Sequence, residues 1–290
     1  MFASLFRNSD MNYKEVCYDM SHKHRGHCLI FNNYNFDSHT GLGERKGSEV
    51  SCQQLVTLFS RFGFIISVNK DLTVREVKAI LYKYAHEIDH SDCDALVVIF
   101  MSHGERKILY GRDGAFNEDV LFKEFLAGCC PTLAGKPKLF FLDVSRGEGL
   151  QNPVTLPKEE DAEFCEEVPA YRGDPIEVQL VQKGEIIEEV IPKEIACHAD
   201  FLKCWSTPLG YFSWRNTSHG SWFMQSLYHV FSRATGNEDI MDLLMMTNMM
   251  LNSQFISNCP AQPLLHGKKQ TAFIESTLTA KLYLTPSSIN

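Results

Sequence analysis

The chain has 290 residues, 44% of them hydrophobic, which is ample for a packed core and excludes global disorder. Its net charge of −8 argues against nucleic acid as the main partner. No stretch approaches a membrane span, and the apolar run in Met1–Arg7 is too short for a signal peptide, so a cytoplasmic location without a membrane partner is expected. The ten cysteines are scattered without C-x-x-C spacing, and Cys129 and Cys130 are adjacent. They read as reduced thiols, not as a disulfide framework or zinc site, and no metal or other cofactor is expected.

Residues 1–24 are mostly polar. A first strand is predicted at Arg25–Asn33, followed by a glycine-bearing loop over Thr40–Ser48. Ser51–Phe62 reads as a helix with Leu55, Leu58, Phe59 and Phe62 on one face, ended by Gly63. Phe64–Val68 is a predicted strand. Thr73 and Glu76 fit a capping box, opening a helix whose apolar stripe is Val74, Val77, Ile80, Leu81 and Tyr84. A buried strand at Ala95–Met101 comes next, then a small hairpin over Ile108–Gly114 with an Asp-Gly turn signal. A short helix is predicted at Val120–Ala127, leading into the strand Lys138–Asp143. Strands alternating with helices give an α/β fold with a largely parallel sheet covered on both faces.

From Leu150 to about Ile195 the composition changes. Five prolines punctuate the stretch, and residues 158–167 form a charge run that reads as a solvated loop. Glu177–Leu180 and Ile186–Val190 are a possible added hairpin. Two further helices are predicted, at Ser221–Ala234 and Glu238–Phe255. The methionines of the second read as adaptable core packing. Thr279–Leu284 is the last predicted strand.

Two strand ends carry the chemistry. Asp94–Met101 is an apolar run followed at once by Ser102-His103-Gly104-Glu105, and Lys138–Leu142 is followed by Asp143-Val144-Ser145-Arg146-Gly147. In open α/β sheets, ligands bind in the crevice beyond the carboxyl ends of the strands. Alone, Ser145 would be a turn residue and His103 an ordinary surface or core histidine. Together, at the ends of two buried strands, they can face each other across a crevice.

The order Ser-His-Gly-Glu, then Gly-Lys-Pro-Lys-Leu-Phe-Phe-Leu, then x-x-Ser-Arg-Gly resembles the caspases, cysteine-type endopeptidases whose nucleophile signature is Gln-Ala-Cys-Arg/Gln-Gly with a His upstream. Gly210-Tyr211-Phe212-Ser213-Trp214-Arg215-Asn216 resembles the family's small-subunit motif. The likeness runs from about Arg25 to Leu284, breaking only in the stretch near 150–195. It implies one caspase domain, a three-layer sandwich with a largely parallel central sheet. Its parts are a short prodomain-like segment of the effector type (1–24), a large-subunit-like region (25–150), an intersubunit linker (151–195) and a small-subunit-like region (196–290). Asp161 and Asp174 are the possible linker cleavage sites, with Pro175 making the second a poor one. In the family the strand corresponding to Thr279–Leu284 pairs across the dimer axis, which would make Thr279, Lys281 and Tyr283 dimer residues.

The resemblance also assigns roles. His103 matches the family's histidine, and Gly104 a backbone donor of the oxyanion hole, whose second N–H would come from residue 145. Arg45 and Arg215 match the arginines that grip the substrate carboxylate. Trp205, Ser213 and Trp214 match neighbouring cleft positions. The nucleophile position does not match: Ser145 stands where the family has Cys, without the thiolate that makes cysteine reactive near neutral pH. Nor does Asp143, which stands where the family has a neutral Gln. A carboxylate there repels the substrate carboxylate, or pairs with Arg45 or Arg215 and occupies the pocket.

The expected function is therefore that of a catalytically inactive caspase homologue, a pseudoenzyme. It would modulate, and more specifically enhance, an active caspase in apoptosis by heterodimerisation, with a homodimer as the other assembly. Two alternatives stand beside it: a Ser-nucleophile protease with altered specificity, and an active-site Cys-to-Ser form of an ordinary cysteine-type endopeptidase.

Overall fold

The computed structural model describes residues 16–155 and 195–286. Apart from 153–155, these fall in one compact unit formed by residues up to 152 and from 195 onward. The candidate cut sites Asp161 and Asp174 and the possible hairpin at 177–190 lie outside the described residues.

The elements follow the predicted alternation. Strand β1 (His24–Asn32) leads through a loop to helix α1 (Ser48–Arg61), strand β2 (Ile65–Lys70) and helix α2 (Val74–His86). Strand β3 (Cys93–Met101) precedes a three-stranded ribbon of β4 (Gly104–Glu105), β5 (Ile108–Gly111) and β6 (Gly114–Asn117). Strand β7 (Lys138–Asp143) and strand β8 (Phe201–Trp205) follow. Then come β9 (Arg215–Asn216), β10 (Gly220–Ser221), helices α3 (Trp222–Phe231) and α4 (Ile240–Gln254), and strand β11 (Phe273–Ser276). The main sheet has the order β11-β8-β7-β3-β1-β2, parallel throughout except for β11.

All nine residues of β3 and all six of β7 are buried, as continuous apolar runs at the centre of a doubly covered sheet should be. Alternate residues along them supply opposite cores. Val97, Ile99, Leu139 and Phe141 pack with Leu55 and Phe59 of α1, Phe223 and Leu227 of α3, and Leu243 and Leu244 of α4. Leu96, Val98, Phe100, Phe140 and Leu142 pack on the other side with Val77 and Leu81 of α2 and with Leu109 and Phe116 of the ribbon. The result is the expected three-layer α/β architecture. Helix α2 opens on the predicted capping box: Thr73 Oγ1 accepts from Glu76 N at 3.2 Å, and Thr73 N donates to Glu76 Oε2 at 2.8 Å. No helix among the described residues is long and apolar enough to cross a membrane.

Three expectations need correction. No α-helix forms at Val120–Ala127; two 3₁₀ turns, Glu118–Leu121 and Lys123–Phe125, take its place. These tighter turns let the adjacent Leu121 and Phe122, and Phe125, all reach the same core, with the two Phe rings 5.0 and 6.1 Å from that of Phe140. The methionines of α4 do not fill the core. Ile240, Leu243, Leu244 and Leu251 take the buried face, and Met245 and Met249 are left 64% and 67% exposed.

The third correction concerns Thr279–Leu284, which is not a strand of the sheet. Lys281 and Tyr283 form isolated bridges to Cys17 and Asp239, and Thr279 Oγ1 donates to Asp200 at 2.6 Å. Leu282 and Leu284 are buried beneath this segment. These bonds engage Thr279, Lys281 and Tyr283 within the chain. The sheet edge beside β8 is β11 instead.

Candidate active site

The carboxyl ends of β3 and β7 lie side by side, Met101 opposite Asp143, and the chain leaves both strands into one cavity. Its volume is about 230 Å³, and its walls include Arg45, His103, Asp143, Ser145, Ser213, Trp214 and Arg215. Ser102, Val144 and Phe212 also line it; the motifs contain all three, but no role had been assigned to them. A larger cavity of about 510 Å³ lies between α3 and α4 and shares none of these residues.

Local structure brings the loops together. A Cβ on Gly104 would stand 2.7 Å from the Ser145 carbonyl oxygen, so only glycine allows the His103–Gly104 turn to approach the backbone at 145 this closely. Gly47 has φ +90, and a Cβ there would stand 2.3 Å from the Asn216 carbonyl oxygen. That contact seats the loop bearing Arg45 against the one bearing Arg215. Ser206 holds Val144 by both backbone groups, accepting from its N–H at 3.2 Å and donating to its carbonyl at 2.9 Å. Gln270, fully buried, accepts from Trp214 N at 2.7 Å and donates to the Ser206 carbonyl at 2.7 Å. Its position, far along the chain in an unremarkable stretch, had offered no signal.

His103 Nε2 lies 2.8 Å from the Gly43 carbonyl oxygen. A carbonyl only accepts, so Nε2 carries the proton and Nδ1 keeps its lone pair. Burial, and then the charges of Arg45 and Arg215, push the His103 pKa below its ordinary value despite the opposing bond to Gly43, so the ring is neutral at pH 7. Phe36 packs against the ring at 4.8 Å. Ser145 Oγ accepts from Ser213 N at 3.1 Å. Among the described residues no hydrogen bond joins Ser145 to His103, and no carboxylate orients the imidazole as in a serine triad.

The two arginines have different fates. Arg45, 1% exposed, forms an ion pair with Asp143, Nη2 to Oδ2 at 2.8 Å. It also donates from Nη1 to the Asn33 carbonyl at 3.2 Å, while its buried Nε has no partner. Burial is the main influence on the Arg45 guanidinium, lowering its pKa to about 10 against the favourable field of Asp143, and the group stays charged. Arg215 donates from Nε to the Lys46 carbonyl at 3.0 Å and has no carboxylate partner among the described residues. The pocket thus holds two guanidinium charges and one carboxylate. One of the two guanidinium groups is already engaged by a carboxylate.

Trp205 is not a cleft residue. It is 1% exposed at the end of β8, in the core beside Phe122, with the Arg146 guanidinium stacked 3.9 Å from its ring centroid. Strand alternation directs it to the sheet face covered by α2 and the ribbon, away from the cavity.

The family model described as a caspase domain matches residues 25–283. Caspase-1 of Drosophila melanogaster is 39% identical over 262 residues, covering 90% of this chain and 74% of the relative. Caspase-7 of Gallus gallus is 36% identical over 273 residues, covering 92% and 79% respectively. The crystal structure of Caspase-1 from Spodoptera frugiperda superposes with a TM-score of 0.79 at 36% identity, covering 94% of this chain and 96% of that one. With the α/β sandwich and the shared crevice at the ends of β3 and β7, these likenesses make the chain a member of the caspase family, with Ser145 where the family signature has its cysteine.

Proposed function

We propose that this chain is a catalytically inactive caspase homologue that enhances an active caspase in apoptosis by pairing with it. The observation that carries the reading is the buried Arg45–Asp143 ion pair. A substrate aspartate entering the pocket meets a guanidinium already neutralised and a fixed carboxylate beside it. Ser145 adds a second impairment, because a neutral hydroxyl without a hydrogen-bonded base is a weak nucleophile. These two features favour binding over a Ser-nucleophile protease. Asp143 beside Ser145 favours natural divergence over a single Cys-to-Ser replacement.

Assembly has its own support. Strand β11 ends the sheet, bonded to β8 on one side, with its other side unpaired among the described residues. Such an edge offers main-chain hydrogen bonds to a partner strand. Phe273 on it is 42% exposed. The partner would be an active caspase paralogue, or a second copy of this chain. Enhancement is the favoured sign because the assembly edge persists while substrate binding is impaired, so pairing would order the partner's loops without competing for its substrate.

The test is cleavage of an Asp-ending peptide by this chain alone and by this chain co-expressed with an active caspase, with mixed dimers read by pull-down. Silence alone, a mixed dimer and faster partner turnover are the expected results. Turnover by the chain alone that disappears in Ser145→Ala would overturn the reading.

A further inference from the structure

At the other end of the sheet, where β1 and β3 begin, three soft-metal donors converge outside any role described above. His27, His90 and Cys93 place one ligand atom each within 4.8 Å of the others. His90 is fully buried, Cys93 is 4% exposed and His27 is half-buried.

Two of the donors are orphans. The Nδ1 atoms of both His27 and His90 are buried without a hydrogen-bond partner. A buried imidazole nitrogen left unpaired is costly, and such groups call for an explanation. For His90 the tautomer follows from its neighbour. Nε2 lies 2.6 Å from the Tyr84 carbonyl oxygen, so it carries the proton and Nδ1 presents a lone pair. Metal-bound histidines are oriented in the same way, by a carbonyl on the far nitrogen.

The backbone between the donors is held in place. The Lys136 ammonium donates to the carbonyls of His90, Ser91 and Cys93 at 2.8, 2.6 and 2.7 Å. Its positive charge opposes any cation there, so a bound ion must be held by strong directional bonds to nitrogen and sulfur. Two imidazoles and a thiolate suit a borderline-soft ion bound through directional bonds.

We propose that His27, His90 and Cys93 form a zinc site, with water in the fourth position. Tetrahedral donors lie roughly 3.5 Å apart, so side-chain torsions of the three residues close the set. Binding replaces the Cys93 S–H bond with S–Zn and releases one proton to solvent, since both imidazoles already carry free lone pairs. The half-buried His27 provides the way in. Nine residues of β3 separate this end from the candidate active site, roughly 26 Å away, so the ion would tie β1 to the α2–β3 connection without touching that pocket. The lack of C-x-x-C spacing excludes only a local zinc motif; here His27 comes from a strand distant in sequence.

The experiment loads the full chain, stripped by chelator, with Co²⁺ and then Zn²⁺. Expected are one equivalent bound, a thiolate-to-Co²⁺ charge-transfer band, one proton released, and a thermal midpoint raised by roughly 5–10 °C at a hundredfold excess over Kd. Cys93→Ser should abolish the band, and His27→Gln should weaken Zn²⁺ at least tenfold, while Cys129→Ser, at an exposed thiol, changes neither. A wild-type Co²⁺ spectrum without the thiolate band overturns the proposal even if a variant fails to fold. So does tight binding unchanged in Cys93→Ser.

Discussion

Replacing Asp143 with Asn keeps the side chain's shape and removes its charge, and two quantities should move in opposite directions. A peptide carboxylate gripped by Arg45 would sit about 4 Å from Asp143. At an effective dielectric near 20 the repulsion is about 4 kcal/mol, or roughly a thousandfold in affinity. Stability should fall, because Arg45 is 1% exposed and loses its carboxylate partner. Removing one member of a buried pair costs about 3–5 kcal/mol, a drop of roughly 6–20 °C in Tm for a domain of this size. The assay is fluorescence anisotropy with matched peptides ending in Asp or Asn, run beside thermal unfolding with and without each peptide. Asp143→Asn should gain about three orders of magnitude for the Asp peptide and almost nothing for the Asn peptide, and the Asp peptide should recover much of the lost Tm. An unchanged Asp-to-Asn preference would refute the claim that the ion pair blocks the pocket.

Ser145→Cys alone should leave cleavage of Asp-ending fluorogenic peptides near background, and adding Asp143→Gln should raise it; strong turnover in the single variant would sink the charge argument. Phe273→Lys on β11 should abolish mixed-dimer pull-down while shifting stability by about 0.5 kcal/mol or less, as expected at an exposed edge position. Thr73→Ala removes the capping box of α2 and should cost about 1 kcal/mol in a urea melt. Lys138, buried in β7, has its pKa lowered by burial to about 8 from 10.5, so above pH 8 the folded state binds fewer protons than the unfolded one. Stability from this group therefore rises between about pH 8 and 10.5, by about 3 kcal/mol in all, and the difference between wild type and Lys138→Met should change by that amount over this window. A pH-independent difference would mean that Lys138 titrates normally.

Local patterns were legible without coordinates. The apolar runs at β3 and β7, the Thr73–Glu76 cap and the polar turns after both strands each depend on neighbours within a few residues, where periodicity and capping chemistry act directly. Those turns, with the Gly210–Asn216 motif, sufficed to bring His103, Ser145, Ser213, Trp214 and Arg215 to one cavity. The sequence also held the departure at 143 and 145 in plain view.

Other features depended on competition between distant groups, and only the tertiary structure decided them. Asp143 had two arginines within its repertoire; packing of the 33–47 loop gave it Arg45, 98 residues away, and left Arg215 to a backbone carbonyl. Trp205 matched a cleft position by resemblance but falls on the strand face that points into the core. The methionines of α4 lost the core face to its branched residues. Thr279–Leu284 has strand-like composition, yet its bonds go to Cys17 and Asp239, while the shorter β11 pairs with β8. The sequence by itself determined which segments are buried strands, where helices begin and which chemical groups stand at the strand ends. Tertiary structure decided which charge neutralises which, which helix face is covered and which edge stays open, because each is settled by contacts between segments that no local pattern couples.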